Sequence, residues 1–218
     1  MSSPRAKQRK RRRLRQPALV VGLTGSVAMG KSTTAMLFKR LGVPVFEADA
    51  VVHRLLGSKG RALKAVDKRF PGVVSAAGVD RKRLGGEVFA NPKALADLEA
   101  IIHPLVRAER VAFLKRFAHR KVVVLDIPLL FEGHNEDACD VIAVMSAPAF
   151  LQHQRALARP GMNIAKFKAI LARQWPDAKK RAHADVVIPS GLGKRETLRR
   201  LTQFLTLARG KKSVIFHA

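Results

Sequence analysis

Cysteine is nearly absent from this chain of 218 residues: Cys139 stands alone, so no intrachain disulfide can form. A lone thiol also excludes the paired-cysteine zinc spacings, and a reducing cytoplasm is the simplest compartment for it. Tyrosine is missing altogether and Trp175 is the single tryptophan. That poverty argues against the aromatic stacking platforms common in single-strand nucleic-acid binders. No apolar run approaches the roughly 18 residues a membrane span requires, and Ala18 to Leu23 is too short for a signal-peptide core. No G-x-S-x-G elbow occurs. Acids are scarce as well, 16 against 42 lysines and arginines, for a net charge of +26.

Eight of the basic residues fall within positions 1–17, which hold no acid, so +18 remains on the rest of the chain. Such a balance attracts anionic ligands, nucleotides included, and binds nucleic acid without sequence preference. Residues 1–17 are expected to form a solvated, disordered basic arm, with RNA as a non-specific anionic partner in the alternative reading.

The most informative stretch is ALVVGLTGSVAMGKSTTAMLFKRL, Ala18 to Leu41. Ala18 to Leu23 is short and apolar enough for one buried strand. Gly25 to Ser32 then fits G-x-x-x-x-G-K-[ST], the phosphate-binding P-loop, and Ala35, Leu37, Phe38 and Leu41 supply one face of a following helix. Backbone N–H groups at a helix N-terminus attract phosphate oxygens. Gly25, Ala28, Met29, Gly30, Lys31, Ser32 and Thr33 are therefore the expected nucleotide-binding positions. Lys31 reaches the terminal phosphates and the Ser32 hydroxyl faces Mg²⁺.

Val43 to Phe46 predicts a second strand, after which Asp49 either faces the bound phosphates or caps the next helix; the two roles are compatible. Residues 50–117 are expected to be helical. Asp80 is a candidate cap for a helix through Phe89, and Asn91-Pro92 a start signal for the next. His103-Pro104 interrupts that helix's apolar stripe, and a kink there either aims His103 and Arg107 into a cleft or is only structural. Lys121 to Asp126 ends a core strand in an acid, the pattern of an Asp that holds Mg²⁺. Asp140 to Met145 and Asp185 to Ile188 predict two further strands. Arg155 and Arg159 share a helix face before the Pro160-Gly161 break, an arrangement suited to a lid over nucleotide phosphates or to two solvated arginines. The order of elements predicts a parallel α/β sheet with helices on both faces.

GLTGSVAMGKST, VFEADAVVHRLL, FANPKALADLEAIIHPLV, VVVLDIPLLFE, ARPGM and ADVVI, in that order, resemble dephospho-CoA kinases from about Leu19 to Leu205. The resemblance implies a P-loop kinase fold with a five-stranded parallel sheet over 18–208, a helical acceptor-binding insertion at about 50–117, a lid at about 155–175, and a tail at 209–218. It implies transfer of the ATP γ-phosphate to the ribose 3′-hydroxyl of dephospho-CoA with Mg²⁺. Asp49 then matches the family's proposed base, Lys31 and Arg155 join it in catalysis, and Arg155 and Arg159 approach the ATP phosphates. His103 and Arg107 line the acceptor site, and Ser32 and Asp126 hold the metal. Ser26 and Ala28 replace the family's loop glycines, Met29 replaces a small polar residue, and Glu47 replaces an Asp. If Ala28 must take positive φ, backbone strain follows. Another small-acceptor P-loop kinase and an ATP-switched nucleic-acid binder are the competing readings.

Overall fold

The computed structural model describes residues 18–89 and 91–210. The arm expected over 1–17, and all but the first two positions of the tail expected over 209–218, lie outside them.

Five parallel strands form the centre: β1 (Leu19–Thr24), β2 (Val45–Glu47), β5 (Val122–Asp126), β6 (Val141–Ser146) and β7 (Val186–Pro189), in the spatial order β2-β5-β1-β6-β7. All residues of β5 and β6 are buried. Their continuous apolar sequence follows, because helices cover both faces of such a sheet. The period-2 alternation of a strand then divides the core. Val141, Ala143 and Met145 pack with Phe38 of α1 (Lys31–Arg40) and with Leu201 and Leu205 of α9 (Lys194–Gly210). Ile142 and Val144 face the opposite layer, with Phe46, Leu130 and Phe131.

That second layer carries α2 (Ala48–Leu55), α3 (Leu63–Arg69), a hairpin of β3 (Val74–Ser75) and β4 (Gly78–Val79), α4 (Arg81–Phe89) and α5 (Pro92–Arg116). The expected caps are present: Asp80 accepts from the backbone N–H of Lys82 and Arg83, and Asn91 Oδ1 accepts from Ala94 N at 3.1 Å.

Three expectations are corrected here. The stretch 50–117 is not wholly helical, since β3 and β4 pair antiparallel. Gly78, at φ 105, is pressed so closely on the Leu56 carbonyl that a Cβ would lie 2.6 Å from it, and Val79 N donates to that same carbonyl. Pro104, by contrast, lies inside α5 as expected, and the helix runs through it. Proline removes the bond to the carbonyl four residues back, and both Ala100 and Pro104 are exposed, so water can take that carbonyl. The second strand starts at Val45 rather than Val43, because Pro44 has no N–H to donate; its carbonyl instead accepts from Val124 N. Finally, Asp49 lies inside the first turn of α2 and makes no cap; Glu47 holds the N-cap position.

Beyond β6 come α6 (Ala149–Leu157), α7 (Ile164–Ala172) and the short α8 (Asp177–Ala182). Their attachment to the sheet runs through a buried charge. Lys180 is fully buried on α8, and its Nζ stands 2.9 Å from Glu132 Oε1, in ion-pair contact but off the hydrogen-bond angle. Trp175 N donates to the same oxygen at 2.7 Å. The Trp175 ring stacks on Phe131 at 5.2 Å, and the Lys179 ammonium sits 3.5 Å from the centroid of its ring. Burial pushes the Glu132 carboxyl up, but the Lys180 ammonium and the Trp175 N–H outweigh it and leave the carboxyl below its ordinary value.

Cys139 fills a notch beside the sheet: a Cβ on Gly22 of β1 would lie 2.5 Å from its sulfur. Burial there pushes the thiol up to about 12.

Two outcomes are expected. Iodoacetamide at pH 8 leaves Cys139 unmodified in the folded protein and alkylates it in denaturant, because the reactive species is the thiolate; mass spectrometry reads the difference. Lys180→Ala lowers unfolding free energy by about 3–5 kcal/mol at pH 7, the scale for orphaning a buried charge, as measured by urea titration. A depressed carboxylate pKa stabilises the fold above its unfolded value and ceases to as pH falls through the folded one. The Lys180→Ala deficit therefore shrinks as Glu132 protonates.

Candidate active site

The P-loop leaves β1 at the centre of the sheet, where the strand order reverses, the place at which open α/β sheets bind ligands. Gly25 takes φ 152, and a side chain there would collide with the Met145 carbonyl. Gly30 takes φ 88 at the N-cap of α1, where a Cβ would be 3.0 Å from Ser190. Ala28 is at φ 63. For a residue with a Cβ the left-handed region costs roughly 1–2 kcal/mol. Its methyl is buried against Ala156 of α6 and Phe167 of α7, and burial on the scale of roughly 0.8 kcal/mol per methylene-sized group offsets part of that.

One cleft is lined by residues 25–34 together with Asp49, Arg155, Arg159, Gln174, Ser190 and Lys194. Its volume is about 510 Å³. All seven expected nucleotide-binding positions of the loop thus come together with Asp49 and both arginines. His103 and Arg107 do not line this cleft; both are exposed on α5.

At the carboxyl edge of the sheet, β1 and β5 pair Leu23 with Asp126, and β2 and β5 pair Glu47 with Asp126. Lys31 Nζ lies 2.7 Å from Asp126 Oδ1. Asp126 is 6% exposed. Burial raises its carboxyl above the ordinary value; Lys31 works against this, and the charges of Asp49 and Glu47 add to it. A buried carboxylate crowded by two others is a place that gains from a cation. Glu47 is itself ion-paired to Lys39.

Across the cleft, Arg155 donates to Ser190 Oγ at 3.0 Å and to the Ser190 carbonyl at 2.9 Å. Ser190 Oγ in turn donates to the Met29 carbonyl at 2.8 Å. Gln174 Oε1 accepts from Val27 N, and Gln152 Nε2 donates to the Val27 carbonyl, each at 2.9 Å. The Arg173 guanidinium covers the Phe89 ring at 4.7 Å, joining the end of α4 to the end of α7. Sequence reasoning missed Gln152, Gln174 and Ser190. Only Ser190 carries a signal that could have found it, its place just past the carboxyl end of β7.

A glycine-shaped P-loop, a buried acid beside its lysine, two arginines and the Asp49 carboxylate thus meet at one cleft. Comparison with known proteins agrees. The family model described as dephospho-CoA kinase matches residues 19–193. A dephospho-CoA kinase of Rhodospirillum rubrum is 55% identical over 194 residues, 88% of this chain and 92% of that protein. The crystal structure of TT1252 from Thermus thermophilus superposes with TM-score 0.79 at 31% identity, covering 88% of this chain and 98% of that one. A dephospho-CoA kinase from Campylobacter jejuni shares the fold, with TM-score 0.62 at 24% identity over 87% of this chain and 96% of its own. With more than half its length matched by the family model and a relative this similar over nearly all of it, the chain belongs to the dephospho-CoA kinase family.

Proposed function

We propose that the cleft transfers the γ-phosphoryl group of ATP to the ribose 3′-hydroxyl of dephospho-CoA. The observation that carries this reading is that Asp49 lines the same cleft as the P-loop, with Arg155 and Arg159. The bond from the 3′-oxygen to phosphorus forms, the bond to the β–γ bridging oxygen breaks, ADP leaves, and the hydroxyl proton passes to Asp49 or through it to solvent. Phosphoryl transfer needs little covalent help from protein; positioning and charge stabilisation carry the rate. Lys31 exchanges its Asp126 contact for phosphate oxygens. Arg155 and Arg159 neutralise charge on the transferring group, and Arg155 leaves Ser190 to do so.

Ser32 and Asp126 fit Mg²⁺, which prefers hard oxygen donors. When bound, the ion neutralises charge on the β- and γ-phosphates. Among the described residues no three His, Cys, Asp or Glu side chains converge as a metal cage, so its other ligands would be phosphate oxygens and water. His103 and Arg107, exposed on α5, are assigned to the acceptor, whose own pyrophosphate suits a cationic surface. On this reading 50–117 is the acceptor-binding insertion and 155–175 the lid, and the lone thiol supports a cytoplasmic enzyme. The +26 charge separately supports a non-specific RNA contact through residues 1–17, and heparin retention lost steeply with salt would mark it as charge alone.

Coupled ADP release with ATP–Mg²⁺ and dephospho-CoA, beside AMP, adenosine and shikimate as acceptors, tests the reading. The expected product is one phosphoryl group heavier than dephospho-CoA by mass; turnover only with another acceptor overturns the assignment. Lys31→Ala and Asp49→Asn each lower turnover by about 10²-fold or more, the scale of lost electrostatic or acid–base help. Asp126→Asn lowers turnover on the same scale without lowering the Tm of the ligand-free protein. Its raised carboxyl means that ionising it costs folding energy as pH rises through the unfolded value, and the amide removes that cost.

A further inference from the structure

We infer that Gln152 is a positioning residue that locks the Val27–Ala28 peptide of the P-loop in the orientation ATP requires. The inference rests on the P-loop being the ATP site. A trans peptide holds its C=O and the following N–H in opposite directions. Gln152 Nε2 holds the Val27 carbonyl at 2.9 Å. Gln152 is 8% exposed on α6 and does not line the ATP cleft, whereas Val27 and Ala28 do. The carbonyl therefore points out of the cleft, towards Gln152, and the Ala28 N–H points into it. Such inward N–H groups are what cradle a phosphate.

This particular loop needs the lock. Turning the Val27–Ala28 peptide plane over would carry Ala28 from φ 63 to the negative φ that a residue with a Cβ prefers. The same flip would withdraw the N–H and aim a carbonyl oxygen at the phosphates. Glycine tolerates both signs of φ about equally; alanine is biased towards the flipped state. Gln174, from the far end of the lid segment, holds the Val27 N–H, so the residue is gripped on both sides by side chains more than 120 positions away. Ser190 likewise turns the Met29 carbonyl aside. The Val27 grip comes from α6 and from Gln174 past the end of α7, so it also ties the loop's geometry to α6, which bears Arg155, and to the turn after it, where Arg159 lies beyond the helix end rather than on a shared helix face.

The test is a double-mutant cycle read by calorimetric titration of ATP–Mg²⁺. Gln152→Met keeps the length of the side chain and removes the donor. It should raise the ATP Kd by about tenfold, the scale of one lost hydrogen bond, and leave the KM for dephospho-CoA unchanged. In an Ala28→Gly background the same change should cost less than about twofold, because glycine has no bias towards the flipped peptide. A packing role would give equal losses in both backgrounds, and equal losses overturn the inference, as does a Kd that does not rise. Gln152→Glu, matched in size but unable to donate when ionised, serves if the Met variant does not fold, with the same expectation. If neither folds and Ala28→Gly restores neither, Gln152 is structural and the inference fails. A wild-type chain that binds no ATP overturns the parent reading instead, and is seen before any variant is made.

Discussion

The site depends on the register of three parallel strands. Pairing Glu47, Asp126 and Leu23 side by side brings one acid from each neighbouring strand up to the edge from which the P-loop departs. A slip of one residue would turn every side chain of a strand to the opposite face, burying Asp126 among the helices instead of against Lys31. The register is secured by apolar packing on both faces rather than by the polar groups themselves. The 2.7 Å Lys31–Asp126 contact is thus a product of hydrophobic burial, and the raised Asp126 carboxyl is the electrostatic cost of placing it there.

The loop that meets the phosphates is held from behind. Its backbone reaches a left-handed conformation at Ala28 without the glycine that would make it free, and compensation comes from the buried methyl contact with Ala156 and Phe167 and from two glutamines. Strain of this kind persists only where surrounding structure over-determines it. Here the surroundings include α6, the helix that brings Arg155 to the cleft, so the loop and the α6–α7 segment constrain one another.

What was legible in the sequence was what local chemistry decides. The P-loop, the apolar β5 ending in Asp126, the Asp80 and Asn91 caps and the break at Pro160-Gly161 each rest on a few neighbouring residues. The parallel five-stranded sheet and the kinase family followed from their order. The hairpin at 74–79 was not legible, because Gly78 is shaped by contact with Leu56 across a turn of the chain. Gln152, Gln174 and Ser190 were not legible either. They are ordinary polar residues in their own helices and loops, and their partners in the P-loop lie 125, 147 and 161 positions away. Ala28 was legible as a conditional: strain if its φ were positive, as it is.

The placement of Trp175 has a consequence of its own. The chain contains no tyrosine and no second tryptophan, so near-ultraviolet emission above 300 nm comes from one indole. That indole lies face to face with Phe131, beneath the Lys179 ammonium and one residue past Gln174. A rotation of the segment that follows α7 about this point would change the distance from ring to charge and with it the colour and yield of the emitted light. The protein therefore carries a single built-in optical gauge between α7 and α8, readable in stopped flow without labelling.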